Sequence, residues 1–137
     1  MRAIEFRGKS IHTGKWHYGD LVQPSKDVYF IQERGTAGVM VNSKTIGQFI
    51  GLSDRNYTKA YRGDIVKFPE MKYDNGKSKM ISTGKELIGV IGKDIYCNWV
   101  IRVGHLMFHI DNLLRGSIIG NIYDNPELIK IKNYGKQ

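Results

Sequence analysis

The most informative stretch for the fold is KAYRGDIV at residues 59–66, which aligns with KWHYGDLV at residues 15–22. In both copies a segment with aromatic residues reaches Gly-Asp and is followed by two Leu or β-branched residues. Glycine adopts backbone conformations that other residues avoid, and aspartate accepts hydrogen bonds from nearby backbone N–H groups. Each copy therefore predicts a strand, a sharp turn held by Asp20 or Asp64, and a second strand that begins buried.

The sequence around these two copies also has the pattern of short strands. Sixteen glycines and three prolines predict many tight turns. Strand-like runs occupy residues 28–31, 36–41, 65–68 (ending at Pro69), 86–92, 95–103, 105–113 and 117–123. The alternation in 95–103 places Cys97 on one face with Trp99, Ile101 and Val103. A helix over 106–115 is the alternative for the run 105–113, since its apolar spacing also fits a period near 3.6.

Short helical turns are expected where capping residues occur. Residues 42–46 and 124–128 begin with side chains that accept free backbone N–H groups, and Pro126 suits a first helical position. The sequence therefore predicts a mainly β fold of small bent sheets with SH3-like barrel character and one or two short helical turns.

The length of 137 residues fits one domain, assigned to residues 1–129. Two subdomains, 1–68 and 85–129, are the alternative division. They would be joined by the polar segment 69–84, a linker or long hairpin loop with turn chemistry at Asn75-Gly76. Residues 130–137 are expected to form a basic tail.

Composition excludes several classes of protein. The chain is 41% hydrophobic and 25% charged, as in ordinary soluble globular proteins. Its single cysteine excludes a disulfide framework and a zinc ribbon. No apolar run reaches the roughly 18 residues that span a bilayer, and the N-terminus lacks the apolar block of a secretory signal. We therefore expect a cytoplasmic protein with no membrane partner.

The net charge of +8 is compatible with a polyanionic partner. The basic residues do not form a block, however, and residues 1–68 and 69–137 both carry a positive excess. The densest group is Lys72, Lys77, Lys79 and Lys85, which is spread through a polar stretch. A solvated basic surface is the alternative interpretation.

A search for metal or nucleophilic chemistry finds only weak candidates. His105, His109 and Asp111 would share one face of a strand, but residues four apart on a strand are separated by about 13 Å, too far to share one ion. Cys97 lies in a run that looks buried, where a thiol is usually structural.

The candidates for acid–base chemistry are equally weak. Asp20, Asp54 and Asp64 could supply paired carboxylates, but holding turns explains Asp20 and Asp64 without chemistry. No phosphate-binding loop is present. The sequence therefore predicts no catalytic residue, no metal site and no cofactor, and we expect that the protein is not an enzyme.

Interleaved aromatic and basic residues give the one functional signal. Small β folds bind single strands by stacking bases on aromatic rings within a basic groove. Alternation places Trp16 and Tyr18 on one face and His17 on the other, and one of these faces is expected to be buried. The candidate nucleic-acid-binding residues are Lys15, Trp16, Tyr18, Arg55, Lys59, Tyr61, Arg62 and Lys67.

Five stretches also carry a family resemblance. They are RAIEFRGK at residues 2–9, GKWHYGDL at 14–21, GQFIGLSDRN at 47–56, YRGDIV at 61–66 and IIGNIYDNPEL at 118–128. Together, and in this order, they resemble the YopX family over almost the whole chain. The chain departs from the family pattern at residues 56–60, Asn-Tyr-Thr-Lys-Ala, where the family usually has Asn-Gly-Lys-Glu-Ile.

The resemblance implies a phage or prophage protein made in a bacterial host, with a mostly β fold. It implies no activity and no catalytic residues, because the family is essentially uncharacterised. Our first hypothesis is a non-catalytic accessory protein that binds nucleic acid. The alternative is a protein-interaction or self-assembling module that acts on a host or phage protein, through exposed sheet edges and apolar C-terminal runs.

Overall fold

The computed structural model describes residues 4–129. These residues fold into two compact units. The first unit takes in the described residues up to Leu52 together with Lys59–Arg62, and the second takes in Ser53–Thr58 and the described residues from Gly63 onward.

The first unit contains a six-stranded sheet with the strand order β4-β3-β2-β1-β5-β6. Its strands are β1 (Phe6–Lys9), β2 (Trp16–Ser25), β3 (Val28–Gln32), β4 (Val39–Met40), β5 (Gly47–Ser53) and β6 (Lys59–Tyr61). Strand β1 pairs antiparallel with both β2 and β5, and β3 pairs antiparallel with β2 and β4. The apolar core residues of this unit are Ile31, Val41, Ile50 and Ala60.

The second unit contains a five-stranded antiparallel sheet with the order β10-β9-β8-β7-β11. Its strands are β7 (Asp64–Asp74), β8 (Lys79–Lys93), β9 (Trp99–Val103), β10 (Leu106–His109) and β11 (Ser117–Asn121). Ile65, Val66, Phe68, Ile91, Ile101 and Leu113 are its most buried apolar side chains. The rings of Phe68 and Phe108 meet edge to face, with centroids 5.4 Å apart.

The expected mainly β architecture of bent sheets is confirmed. Within residues 4–129, each sheet ends in two edge strands and neither closes into a barrel. SH3-like character therefore stays a prediction.

The predicted short helical turns are present. A 3-10 helix spans Ser43–Thr45, and its N-cap Asn42 accepts a hydrogen bond from the backbone N–H of Lys44. Helical backbone begins again at residue 127 and reaches the end of the described chain. The predicted basic tail, residues 130–137, lies outside the described residues.

The two Gly-Asp copies differ in structure. Strand β2 runs without a turn through Gly19 and Asp20, so the strand-turn-strand prediction is wrong there. Gly19 pairs with Phe6 of β1 and Asp20 pairs with Gln32 of β3, so the motif marks the point where β2 changes partner. In the second copy a turn does separate β6 from β7, and Gly63 adopts a φ of 95°.

Residues 69–84 form paired strands, not a separate linker. Strand β7 continues through Pro69 to Asp74, and its partner β8 begins at Lys79. Proline, which has no backbone N–H, is tolerated at position 69 because the register shifts between Pro69 and Met71. An irregular ladder does not require a backbone donor at this point. The segment therefore lies inside the second unit. The assignment of residues 1–129 to one domain stays a prediction.

The strands after residue 94 are shorter than predicted. Residues 95–98 belong to a loop before β9, so Cys97 is exposed and has a φ of 66°, not the buried strand position expected. The run 105–113 divides at His109 into β10 and a 3-10 helix, Ile110–Arg115. Both alternatives for this run were therefore half right.

Candidate nucleic-acid interface

The candidate surface is one face of the first sheet, formed where β1 lies beside β2. The register pairs Arg7 with Tyr18 and Lys9 with Trp16. Paired residues of antiparallel strands point to the same side, so two cationic and two aromatic side chains share this face. Gly8 and His17 are paired on the opposite face.

Arg7 lies at the centre of this face and is only 5% exposed. Its guanidinium carbon is 4.7 Å from the centroid of the Trp16 ring and 5.0 Å from that of Tyr61. The Lys9 ammonium lies 5.6 Å from the centroid of the Trp16 ring. Cations at these distances from a ring are attracted to it, so the face alternates charge and π-surface.

Tyr61 underlies the face and is not available to a ligand. It is 2% exposed, and its ring packs against the rings of Tyr18 and Phe49 at centroid distances of 5.5 and 5.6 Å. Its hydroxyl donates a short hydrogen bond to the Glu5 carboxylate. Tyr18 lies above it with 42% of its surface exposed, so Tyr18 is the ring that faces solvent.

Glu5 binds two members of the aromatic and cationic cluster, which consists of Arg7, Lys9, Trp16, Tyr18, Lys59 and Tyr61. Burial acts to raise the pKa of its carboxyl, but hydrogen bonds from Tyr61 and Lys59 outweigh burial and hold that pKa below its ordinary value. Burial and the adjacent Glu5 carboxylate raise the pKa of the Tyr61 hydroxyl, which therefore stays a donor. The Lys59 ammonium lies 2.9 Å from a Glu5 oxygen, so its charge is partly neutralised.

An open groove of about 520 Å³ begins beside Tyr18. Its other lining residues include the carboxylates Glu5, Asp20 and Glu33 and the guanidinium of Arg34. The carboxylates disfavour a phosphate in the groove, so the end of the face near Lys9 and Trp16 is the end suited to an anion.

The structure brings together only part of the predicted residue set. Trp16, Tyr18, Lys59 and Tyr61 belong to the cluster, and Lys15 is exposed directly before β2. Arg62 is exposed at the end of β6. The remaining two residues belong to the second unit, where Arg55 donates from its Nε to Ser117 Oγ at 3.1 Å and Lys67 pairs with Glu86 at 3.3 Å.

Sequence reasoning missed Arg7 and Lys9, which lie on β1, and Glu5, which directly precedes it. The signal was present, because charged residues at every second position predict one polar face of a strand. Phe49 was also missed, and nothing in its local sequence separates it from an ordinary core residue.

The other candidates for chemistry have structural explanations. The Nδ1 of His109 accepts a hydrogen bond from the backbone N–H of Asp111 at 3.1 Å, which caps the following 3-10 helix. Among residues 4–129, no three His, Cys, Asp or Glu side chains are grouped as metal ligands would be. None of the helices in this range is long and apolar enough to cross a bilayer.

A family model described as YopX protein matches residues 5–130, which is nearly the whole chain. A search of curated proteins returns no match.

Proposed function

We propose that this chain, which belongs to the YopX family, is a non-catalytic binding protein that contacts single-stranded nucleic acid through the Arg7–Trp16–Tyr18 face. The proposal includes an accessory role for a phage or prophage in the cytoplasm of its bacterial host. The observation that carries it is the β1–β2 register, which sets Arg7 and Lys9 opposite Tyr18 and Trp16 on one sheet face.

The chemistry of this face suits a single strand. Every base has a π-face that stacks on an aromatic ring, so contacts of this kind tolerate any sequence. Tyr18 and Trp16 supply the rings, while Lys9 and Lys15 supply cations for the phosphates. Buried Arg7 and Tyr61 hold the rings in place, which lowers the entropy lost on binding.

The distribution of charge also supports the proposal. In the full sequence the first unit contains nine Lys and Arg against four Asp and Glu, a net charge of +5. The second, larger unit contains twelve against nine, a net charge of +3. A polyanion is therefore attracted more strongly to the unit that carries the face.

The test is fluorescence anisotropy with a labelled, mixed-sequence single strand at low and then physiological salt. We expect a micromolar dissociation constant. A plot of the logarithm of the binding constant against the logarithm of salt concentration should have a negative slope of several units. Tyr18→Ala should weaken binding about ten-fold, because stacking contributes roughly 1–3 kcal/mol per base. Trp16→Phe, which keeps a ring, should bind almost normally.

The matched control is the double variant Tyr57→Ala, Tyr96→Ala. It also removes exposed aromatic rings, but from loops of the second unit. Equal weakening by Tyr18→Ala and by this control would contradict the assignment of the face. Absence of binding at low salt would contradict the proposal as a whole.

A protein-interaction module is the second candidate, and exposed apolar side chains on one sheet edge favour it. Leu106 and Met107 on edge strand β10 are more than half exposed, as is Leu114 in the following 3-10 helix. Exposed apolar groups on an edge strand are suited to pairing with another chain. The partner would be a second copy or a host or phage protein.

This alternative makes a different experimental prediction. Sedimentation velocity should then show an oligomer that persists at high salt, because apolar association is not screened. Leu106→Asp should dissociate it, whereas Tyr18→Ala should not. A monomer at every concentration and no protein recovered by pull-down would remove this candidate.

A further inference from the structure

The strands β7 and β8 extend beyond the sheet of the second unit as a two-stranded arm, defined here as residues 69–86. Strand β11 pairs with β7 only as far as Lys67, and β9 pairs with β8 only from Val90. Among the described residues, the arm strands therefore have only each other as ladder partners. Such a ribbon is marginally stable alone, so an arm of this kind is suited to a partner.

A bulge at the base of the arm sets its direction. Between the pairs Pro69–Glu86 and Met71–Ser82, β7 contributes one residue and β8 contributes three. The bulge is fixed by a 2.9 Å hydrogen bond from the Thr83 hydroxyl to the Glu70 carboxylate. Bulges bend and twist a ribbon, so we expect the arm to leave the plane of the sheet at this point.

The acidic side chains of the arm are all engaged within the unit. Glu70 accepts from Thr83, and Asp74 accepts from the backbone N–H of Gly76 at 2.9 Å in the tip turn. Glu86 pairs with Lys67 at 3.3 Å. Glu70 and Asp74 accept from neutral donors and keep their charge, and the register sets Asp74 opposite Lys79.

The lysines of the arm are exposed. Lys72, Lys77, Lys79 and Lys85 form no ion pair with the described residues. In the full sequence the second unit carries a net charge of +3, and the arm contributes +1 of it, four lysines against three carboxylates. The four exposed ammonium groups provide charge complementarity to a row of phosphates.

The arm also has an apolar face. The register pairs Tyr73 with Met80 and Met71 with Ser82 on one side, and Lys72 with Ile81 on the other. Tyr73 and Met80 are each 54% exposed. Lys72 and Lys79 lie on the other side of the ribbon, so one side offers apolar groups suited to base edges and methyl groups, and the other offers cations suited to phosphates.

We propose that the arm binds double-stranded nucleic acid by entering its major groove, with the four lysines on phosphates and the Tyr73–Met80 side on the bases. Two strands about 4.8 Å apart fit a groove about 12 Å wide. From Pro69 to Asp74 the arm is about 17 Å long, which exceeds the groove depth of about 8.5 Å. Like the proposed function, this interaction is with a nucleic acid. It uses the arm instead of the Arg7–Trp16–Tyr18 face, and a duplex instead of a single strand.

The test compares the full chain with the triple variant Lys72→Ala, Lys77→Ala, Lys79→Ala by anisotropy with a labelled 20-base-pair duplex across a range of salt. Loss of three phosphate contacts should lower the log–log salt slope by about 2–3 units and weaken binding at least ten-fold at low salt. The corresponding triple Lys→Arg variant should keep both slope and affinity. These side chains are exposed, so circular dichroism should be unchanged.

The matched control removes three exposed cations from the first unit, through Lys26→Ala, Arg34→Ala and Lys44→Ala. It changes net charge by the same amount and should leave the salt slope nearly intact. Equal effects of the two triple variants would overturn the arm as the contact. The proposal would also be overturned if the arm variant lost self-association while its duplex binding stayed unchanged. That result would mean that the arm contacts a second copy of the chain.

The two proposals fail separately. A chain that binds the single strand but not the duplex overturns the arm and leaves the proposed function. A chain that binds the duplex through the arm lysines, and is insensitive to Tyr18→Ala with the single strand, supports the arm and overturns the Arg7–Trp16–Tyr18 face.

Discussion

Two loops of the second unit have the same backbone design but different roles. In the loop Asp54–Thr58, the N–H of Asp54 donates to the carbonyl of Thr58 at 2.9 Å, and Tyr57 has a φ of 66°. In the loop 94–98, the N–H of Asp94 donates to the carbonyl of Asn98 at 2.9 Å, and Cys97 also has a φ of 66°. In each loop one aspartate oxygen accepts the backbone N–H groups two and four residues later.

The loops differ in the use of the second aspartate oxygen. Asp54 is 5% exposed, and its Oδ2 accepts from the N–H of Ile118, 64 residues away, at 2.8 Å. The Oδ2 of Asp94 reaches only the side-chain amide of its own Asn98, at 3.5 Å. The same local geometry thus connects the chain to β11 in one case and closes a surface turn in the other. Four predictions test this difference.

The largest effect is expected from Asp54→Ala. It removes the acceptor of three backbone N–H groups, two in the loop and one on β11, at a buried position. Each buried donor left without a partner costs about 1–3 kcal/mol, and water will compensate in part, so we expect the free energy of unfolding to fall by about 3 kcal/mol. Urea denaturation measures it, and a loss below about 1 kcal/mol would show that the connection to β11 does not stabilise the unit.

A smaller effect is expected when residues 55–58 are replaced by Ile-Tyr-Cys-Asn, the residues of the other loop. Asp54 and the shared backbone pattern are kept, but the solvent-exposed bonds from Arg55 and Asn56 to the Ser117 hydroxyl are lost. Bonds of this kind contribute about 0.5–1.5 kcal/mol each and less when exposed, so the loss should be near 1 kcal/mol. A loss as large as that of Asp54→Ala would mean that the other loop residues, and not the aspartate, carry the connection.

A still smaller effect is expected from Asp94→Ala, and it should depend on pH. Hydrogen bonds from the backbone N–H groups of Asn98 and Tyr96 hold the pKa of the Asp94 carboxyl below its ordinary value of 3.8. A lowered pKa in the folded state means that this stabilisation is present above pH 3.8 and is lost as the pH falls through the folded pKa. Urea midpoints of the two proteins should therefore converge below that pH, whereas a constant difference down to low pH would exclude the ionised carboxylate as the cause.

The smallest effect is expected from Tyr57→Gly and Cys97→Gly, and it should be similar in both loops. A non-glycine residue at positive φ costs about 1–2 kcal/mol, and glycine removes this cost. Glycine also loses more backbone entropy on folding, which costs about 0.5–1 kcal/mol. We therefore expect the free energy of unfolding to rise by less than about 1 kcal/mol. Tyr57 is 90% exposed, so its replacement removes little packing. Thermal unfolding that shows a gain in one loop and a loss in the other would contradict the common backbone design.

The candidate face shows which features of a site can be predicted from residue patterns and which cannot. Alternation correctly separated Trp16 and Tyr18 from His17, because side-chain direction in a strand is a local property. It could not show that Tyr61 is buried under Tyr18 or that Lys59 is paired with Glu5, since these contacts join β6 to β2 and to the residue before β1. The predicted turn at Gly19-Asp20 was wrong because pairing with β1 and β3 kept the backbone extended there.

The strand-rich architecture, the capped turn at Ser43–Thr45 and the membership in the YopX family could all be read from the amino-acid sequence. Each follows from the order of residue types along a short segment or from the order of the segments. Which aspartate connects distant strands, and which closes a surface turn, depends on the tertiary structure. So does the choice between a linker and a long hairpin for the polar stretch 69–84. Two segments with one local pattern differ in role once another strand lies within hydrogen-bond distance of one of them, and that distance is set by the packing of the whole unit.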